Sequence, residues 1–170
     1  MKHTFILSLI LLSFFSGLSQ RFAYVDSKYI LESMPEYTLA MDELNALSKQ
    51  WQETVEAKYA ALDKLQRAYE AEKILLTPDM RKKREEEITK KEKDALDYQR
   101  SKFGVDGDLF KKQQELVKPL QDNVYTAIQD VAKSRSYAII FDKAGGTANI
   151  LYSDPRYDKS EEVLRELGVN

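Results

Sequence analysis

The side chains that most often carry chemistry are scarce in this chain. It has no cysteine, and its one histidine is His3. Zinc and iron–sulfur centres draw on those ligands, and an ordinary nucleophilic triad needs a histidine base. No Gly-x-Ser-x-Gly occurs, and Gly145-Gly146 lacks the lysine and hydroxyl residue of a phosphate loop. Asp106, Asp108 and Glu115 are oxygen ligands in one neighbourhood. Yet Lys111 stands at the sixth loop position, where a calcium loop takes glycine. The other carboxylates are interleaved with lysines on polar segments, where nothing raises a carboxyl pKa. The expectation is a protein that is not an enzyme and uses no metal and no cofactor.

Binding by many weak contacts is the chemistry left. Leu39, Leu47, Tyr59, Phe103, Val105, Phe110 and Tyr125 lie off the periodic apolar stripe described below. Each can cover apolar area on a partner at about 25 cal/mol per Å² without a fixed geometry. The competing reading packs them against a partner helix or a neighbouring subunit. A second candidate surface is basic: Arg81, Lys82, Lys83, Arg84, Lys90, Lys91 and Lys93, against Glu85, Glu86, Glu87 and Glu92. It can touch anionic lipid or an acidic segment. The plainer alternative is a solvated helix laced with pairs such as Glu86–Lys90 and Glu87–Lys91.

The elements that must position these residues are long helices. From Tyr37 an alternating four-and-three spacing runs through Met41, Leu44, Ser48, Trp51, Val55, Lys58, Leu62, Leu65, Tyr69, Glu72 and Leu76. All but Ser48, Lys58 and Glu72 are apolar or aromatic, which is a coiled-coil stripe. Thr77 and Pro78 then offer a cap and a first helical residue for a second helix. Residues 36–135 read as a helical hairpin with its tip near 76–79, about 60 Å long at 1.5 Å per residue. Gly104 and Gly107 interrupt the descending pattern, as a hinge or as a true break. Between Arg81 and Lys102 apolar residues are sparse, so that part of the hairpin is expected to pack loosely.

The ends have another character. Residues 1–19 read as a signal peptide, with Lys2 before the apolar run Phe5 to Phe15 and cleavage after Ser19. Export from the cytoplasm follows from that reading, and the periplasm is the destination implied by the resemblance given below. Residues 20–35 supply a strand, Arg21 to Val25, and a short helix capped by Asp26 that stops before Pro35. Residues 136–170 supply a strand from Tyr137 to Phe141, a second short strand from Asn149 to Tyr152, and a last helix capped by Ser160. The fold class is α+β, mostly α: a long hairpin inserted in sequence between two parts of a small β body. About fifty residues make a meagre core, so the β body is expected to close by oligomerisation. Among 170 residues 32% are charged and the net charge is −2, which disfavours a general nucleic-acid binder.

The order of short motifs resembles the Skp/OmpH family of periplasmic chaperones. Phe22-Ala23-Tyr24-Val25-Asp26, Ile30-Leu31 and Met34-Pro35-Glu36-Tyr37 are similar to the family's opening. Tyr137-Ala138-Ile139-Ile140-Phe141-Asp142, Ile150-Leu151-Tyr152, Asp154-Pro155 and Glu162-Val163-Leu164 are similar to its close. The resemblance implies a homotrimer with three hairpins around a cavity. It also implies a holdase that binds unfolded outer-membrane β-barrel proteins without nucleotide. The chain departs from the strongly basic members in being mildly acidic. A structural coiled-coil protein of the envelope, spacing or bridging fixed partners, is the alternative.

Overall fold

A computed structural model describes residues 21–145 and 150–169. The expected leader, Gly146 and Asn149 lie outside the described residues. The chain divides into two compact units, one of residues 21–30 with 125–169 and one of residues 31–124.

In the smaller unit β1 (Arg21–Val25) pairs in parallel with β2 (Tyr137–Asp142). Partners run from Phe22 opposite Ile139 to Val25 opposite Asp142, after an irregularity between Arg21 and Phe22. Helix α1 (Ser27–Glu32) follows β1, and the Asp26 carboxylate accepts the Tyr29 N–H at 3.0 Å as its cap. The Ser27 N–H and hydroxyl both donate to the Asp142 carboxylate, at 3.1 and 2.6 Å. An acid at the end of one strand thus satisfies the start of the helix that follows the other. Val25, Ile30, Val131 and Val163 form the fully buried centre of this unit.

Two expectations for the closing segment need correction. Ile150 to Tyr152 is in no regular structure, and Leu151 and Tyr152 are exposed. The reason is a missing partner: the outer side of β1 is taken by Asp158, which bridges to Tyr24, while the Lys159 N–H donates to the Tyr24 carbonyl at 2.9 Å. Pro155–Tyr157 forms a short 3₁₀ turn leading into that bridge. Ser160 is likewise not a cap but the first residue of the last helix, Ser160–Glu166. Its hydroxyl accepts the Asp26 N–H at 2.9 Å, and the Asp158 carboxylate receives the Ser160 N–H at 2.9 Å in the capping role. Gly168 ends the helix with φ at 74°, the left-handed conformation only glycine adopts freely.

The larger unit is built on α2 (Pro35–Glu72) and α3 (Pro78–Phe103), with α4 (Asp108–Leu116) and the first residues of α5 (Lys118–Arg135). Pro35 opens α2, and Thr77 caps α3 by accepting the Met80 N–H at 3.3 Å. Helix α2 ends at Glu72, before the expected Leu76, because reversing the chain ahead of Pro78 uses residues 73–77 as the turn. The heptad stripe is the inner face of α2: of its positions only Glu72 is exposed. In α3 Ala95 is the one buried residue, in keeping with its sparse apolar pattern.

The descending segment is not one helix. It stops at Phe103, resumes at Asp108, and stops again at Val117. Gly104 and Gly107 are extended, with ψ of 174° and 172°. A Cβ on Gly104 would stand 2.4 Å from the Arg100 carbonyl oxygen, and one on Gly107 2.7 Å from that of Lys102. The break needs residues without side chains at both places. Pro119, with no N–H to donate, fits only near a helix start, which accounts for the second stop.

Candidate functional site

The proposed contact residues divide by environment. In the larger unit Leu39 and Val105 are 69% and 91% exposed, and Phe110 is also exposed. Leu47, Tyr59 and Phe103 are half-buried. The Tyr59 hydroxyl donates to Gln99 Oε1 at 3.0 Å, and Phe103 meets Trp51 edge-on with ring centres 6.4 Å apart. Those two therefore hold the hairpin together as well as facing solvent. Tyr125 is exposed and belongs to the smaller unit.

At the break a group of residues meets that helical spacing does not relate. The Lys102 ammonium pairs with Asp108 at 2.5 Å while lying 4.9 Å above the Trp51 ring and 5.6 Å from that of Tyr98. Lys58 approaches Tyr98 at 5.2 Å. The hydrogen bond from Lys102 holds the Asp108 carboxyl below the usual carboxylate range and raises the lysine above its own. Six residues separate the two along the chain, a distance that faces no side chains on a continuous helix. Nothing in the sequence signals this cluster; it exists because the helix stops. The other two supposed calcium ligands are not drawn to it: Glu115 pairs with Lys112 at 2.9 Å, and Asp106 stays exposed.

The basic residues follow the α2–α3 turn. Arg84 is half-buried and pairs with Glu87 at 2.9 Å and Glu72 at 3.9 Å, and Lys93 pairs with Asp97 at 2.5 Å. Arg81 donates to the Lys73 carbonyl at 3.1 Å. The anticipated Glu86–Lys90 and Glu87–Lys91 pairs do not form, since Glu87 turns back to Arg84 instead. Lys82, Lys83, Lys90 and Lys91 are exposed and make no ion pair among the described residues.

The smaller unit carries its own apolar surface. Phe22, Ile139, Phe141 and Tyr157 are exposed on or beside a sheet whose strand β2 has no neighbour on its outer edge among the described residues. An open groove of about 770 Å³ runs past Tyr24, Tyr137, Phe141, Tyr152 and Arg156. Burying such an edge is a general requirement of β structure.

A small parallel pair of strands drawn from the two ends of the described chain, with long charged helices between them in sequence, defines a mostly helical α+β class of protein. The family model described as "Outer membrane protein (OmpH-like)" matches residues 21–167, and the chain belongs to that family. The fold is also that of a crystal structure from Caulobacter crescentus CB15, described as a "putative outer membrane chaperone (OmpH-like)". The TM-score is 0.67 at 15% identity, over 91% of this chain and 89% of the other. No curated protein sequence matches it.

Proposed function

We propose that this protein is an ATP-independent periplasmic holdase that keeps unfolded outer-membrane β-barrel proteins from aggregating, and that it works as a homotrimer. The observation that carries the reading is the exposure of Leu39, Val105 and Phe110 on a hairpin whose own seam is already filled by the heptad stripe. Large apolar side chains left outside a finished seam suit transient, geometry-free contacts with an unfolded chain. Self-association is supported by the outer edge of β2, which pairs with no strand among the described residues and where Ile139 and Phe141 stand exposed. The break at residues 104–107 gives each hairpin a place to bend around clients of different size.

The test is dilution of a urea-unfolded outer-membrane barrel protein into buffer with and without the mature chain, followed by light scattering. Suppression saturating near one trimer per client, without nucleotide, is the expected result. No suppression at several-fold excess would reject the holdase. Cross-linking to one or two constant partners would instead favour the envelope spacer.

A further inference from the structure

We infer that the root of α2 selects cationic segments of an unfolded client, those in which lysine or arginine is interspersed with apolar residues. The inference rests on the holdase reading and names the class of segment that this surface takes. Leu39 is 69% exposed, and residues three and four away on a helix are its surface neighbours. Its charged neighbours at those distances are Glu36, Asp42 and Glu43, all exposed. Glu43 stands four residues after Leu39 and four before the half-buried Leu47, so an acid sits between two apolar contacts. From Pro35 to Ser48 the helix holds no lysine, arginine or histidine.

Helix stability explains only the first of these acids. Glu36 lies in the first turn of α2, where the dipole favours an anion. Asp42 and Glu43 lie beyond that turn and have no cation three or four residues away. Neither makes an ion pair among the described residues. Lys112 of α4 is close enough to act on Glu43 through space, but its ammonium is already bonded to Glu115 at 2.9 Å. Farther along the same helix Asp63, Glu70 and Glu72 each pair with a cation. An acidic field around exposed leucines attracts a chain carrying cations and repels one carrying acids. The stem of a client lysine can lie on Leu39 while its ammonium meets Asp42 or Glu43. The exposed aliphatics of the α2–α3 turn, Ile74 and Leu75, have the opposite setting, beside Lys73, Arg81 and Lys82. Apolar contact surface on the hairpin is thus sorted by charge along its length, and the root is its acidic end.

The test titrates the mature chain into two short, unstructured, fluorescein-labelled peptides and follows anisotropy. The peptides are alike in leucine, valine and serine and differ only in carrying lysine or glutamate. The lysine peptide is expected to bind about tenfold tighter at about 0.05 M salt, and the ratio falls toward unity at about 0.5 M. Asp42→Asn/Glu43→Gln brings the ratio down to about threefold or less, while Asp63→Asn/Glu70→Gln leaves it unchanged. Asp42→Lys/Glu43→Lys reverses the preference, a gain that a misfolded variant cannot show. Suppression of barrel-protein scattering is measured on the same samples. Suppression with no preference for lysine, or with a preference that survives the loss of Asp42 and Glu43, overturns the inference and leaves the holdase standing. A preference for the glutamate peptide also overturns it and moves selection to the cations after the turn. If Asp42→Lys/Glu43→Lys instead changes the sedimentation of the protein alone, the face is a contact between copies, and the inference falls. Without suppression by the wild-type chain, the holdase and this refinement of it fall together, whichever peptide binds.

Discussion

Gly104→Ala puts the break in the descending helix to a quantitative test. The new Cβ would stand 2.4 Å from the Arg100 carbonyl oxygen and 3.3 Å from Arg100 Cγ. The arginine stem can swing aside, but the carbonyl cannot: it belongs to the last turn of α3 and accepts the Gly104 N–H at 2.8 Å. Overpacking of this kind costs about 1–3 kcal/mol. The chain can escape by turning residue 104 helical, where alanine is favoured over glycine by about 1 kcal/mol. A helix continued from Phe103 would rotate Asp108 about 240° from Lys102 and dissolve their pair. The strained route costs about 1–3 kcal/mol; the helical route is close to neutral but moves the neighbours of Trp51. With a urea slope of about 2 kcal/mol per M, the strained route lowers the midpoint by about 0.5–1.5 M. Trp51, the only tryptophan, touches Phe103 and Lys102, so its emission reports this region directly. Matched protein concentrations keep any self-association constant. An unchanged midpoint with unchanged Trp51 emission would refute the requirement for glycine.

Acid should loosen the same region. Hydrogen bonds from Lys102 and Lys93 hold Asp108 and Asp97 below the ordinary carboxylate range. Groups depressed in the folded state stabilise it above their unfolded pKa of about 3.9, and that stability is lost as pH falls through the folded values. Trp51 emission is therefore steady down to about pH 4 and changes below it, and Asp108→Asn removes much of that acid limb. Leu62→Ala, in the α2 stripe at 6% exposure, costs about 2–3 kcal/mol by urea titration. Leu39→Ser/Val105→Ser/Phe110→Ser changes stability by no more than about 0.5 kcal/mol per site. The same triple variant needs several-fold more protein to suppress client scattering.

The parts legible in the sequence were those with a local cause. Pro35, Thr77 and Pro78 mark helix ends because ring sterics and a hydroxyl cap act within a few residues. The α2 stripe follows from heptad spacing, and β1 is found at Arg21–Val25 as read. Gly104 and Gly107 announced an interruption without saying whether the helix would bend or stop; that depends on close approach to the Arg100 and Lys102 carbonyls. The absent strand at 150–152 and the role of Ser160 were decided by what occupies the far side of β1, which no local pattern encodes. For the contact surfaces, Leu39 lies outside the heptad spacing of α2 and is exposed there. The spacing gave no hint that Lys102, Trp51, Tyr98 and Asp108 would meet. The exposure of Ile74 and Leu75 could have been read from the stripe, since it draws in only Leu76 of the three.

The pairing of Phe22 with Ile139 has a consequence for the order in which the protein is made. The first strand is synthesised early, and its partner lies more than a hundred residues behind. Closing so long a loop as random coil is slow. Helices form within microseconds from neighbouring residues, and zipping α2 onto α3 shortens the chain that separates the strands. The hairpin is thus the folding jig for the sheet. Until it forms, β1 is an unpaired apolar strand, and the newly made molecule is briefly the kind of chain it is proposed to protect.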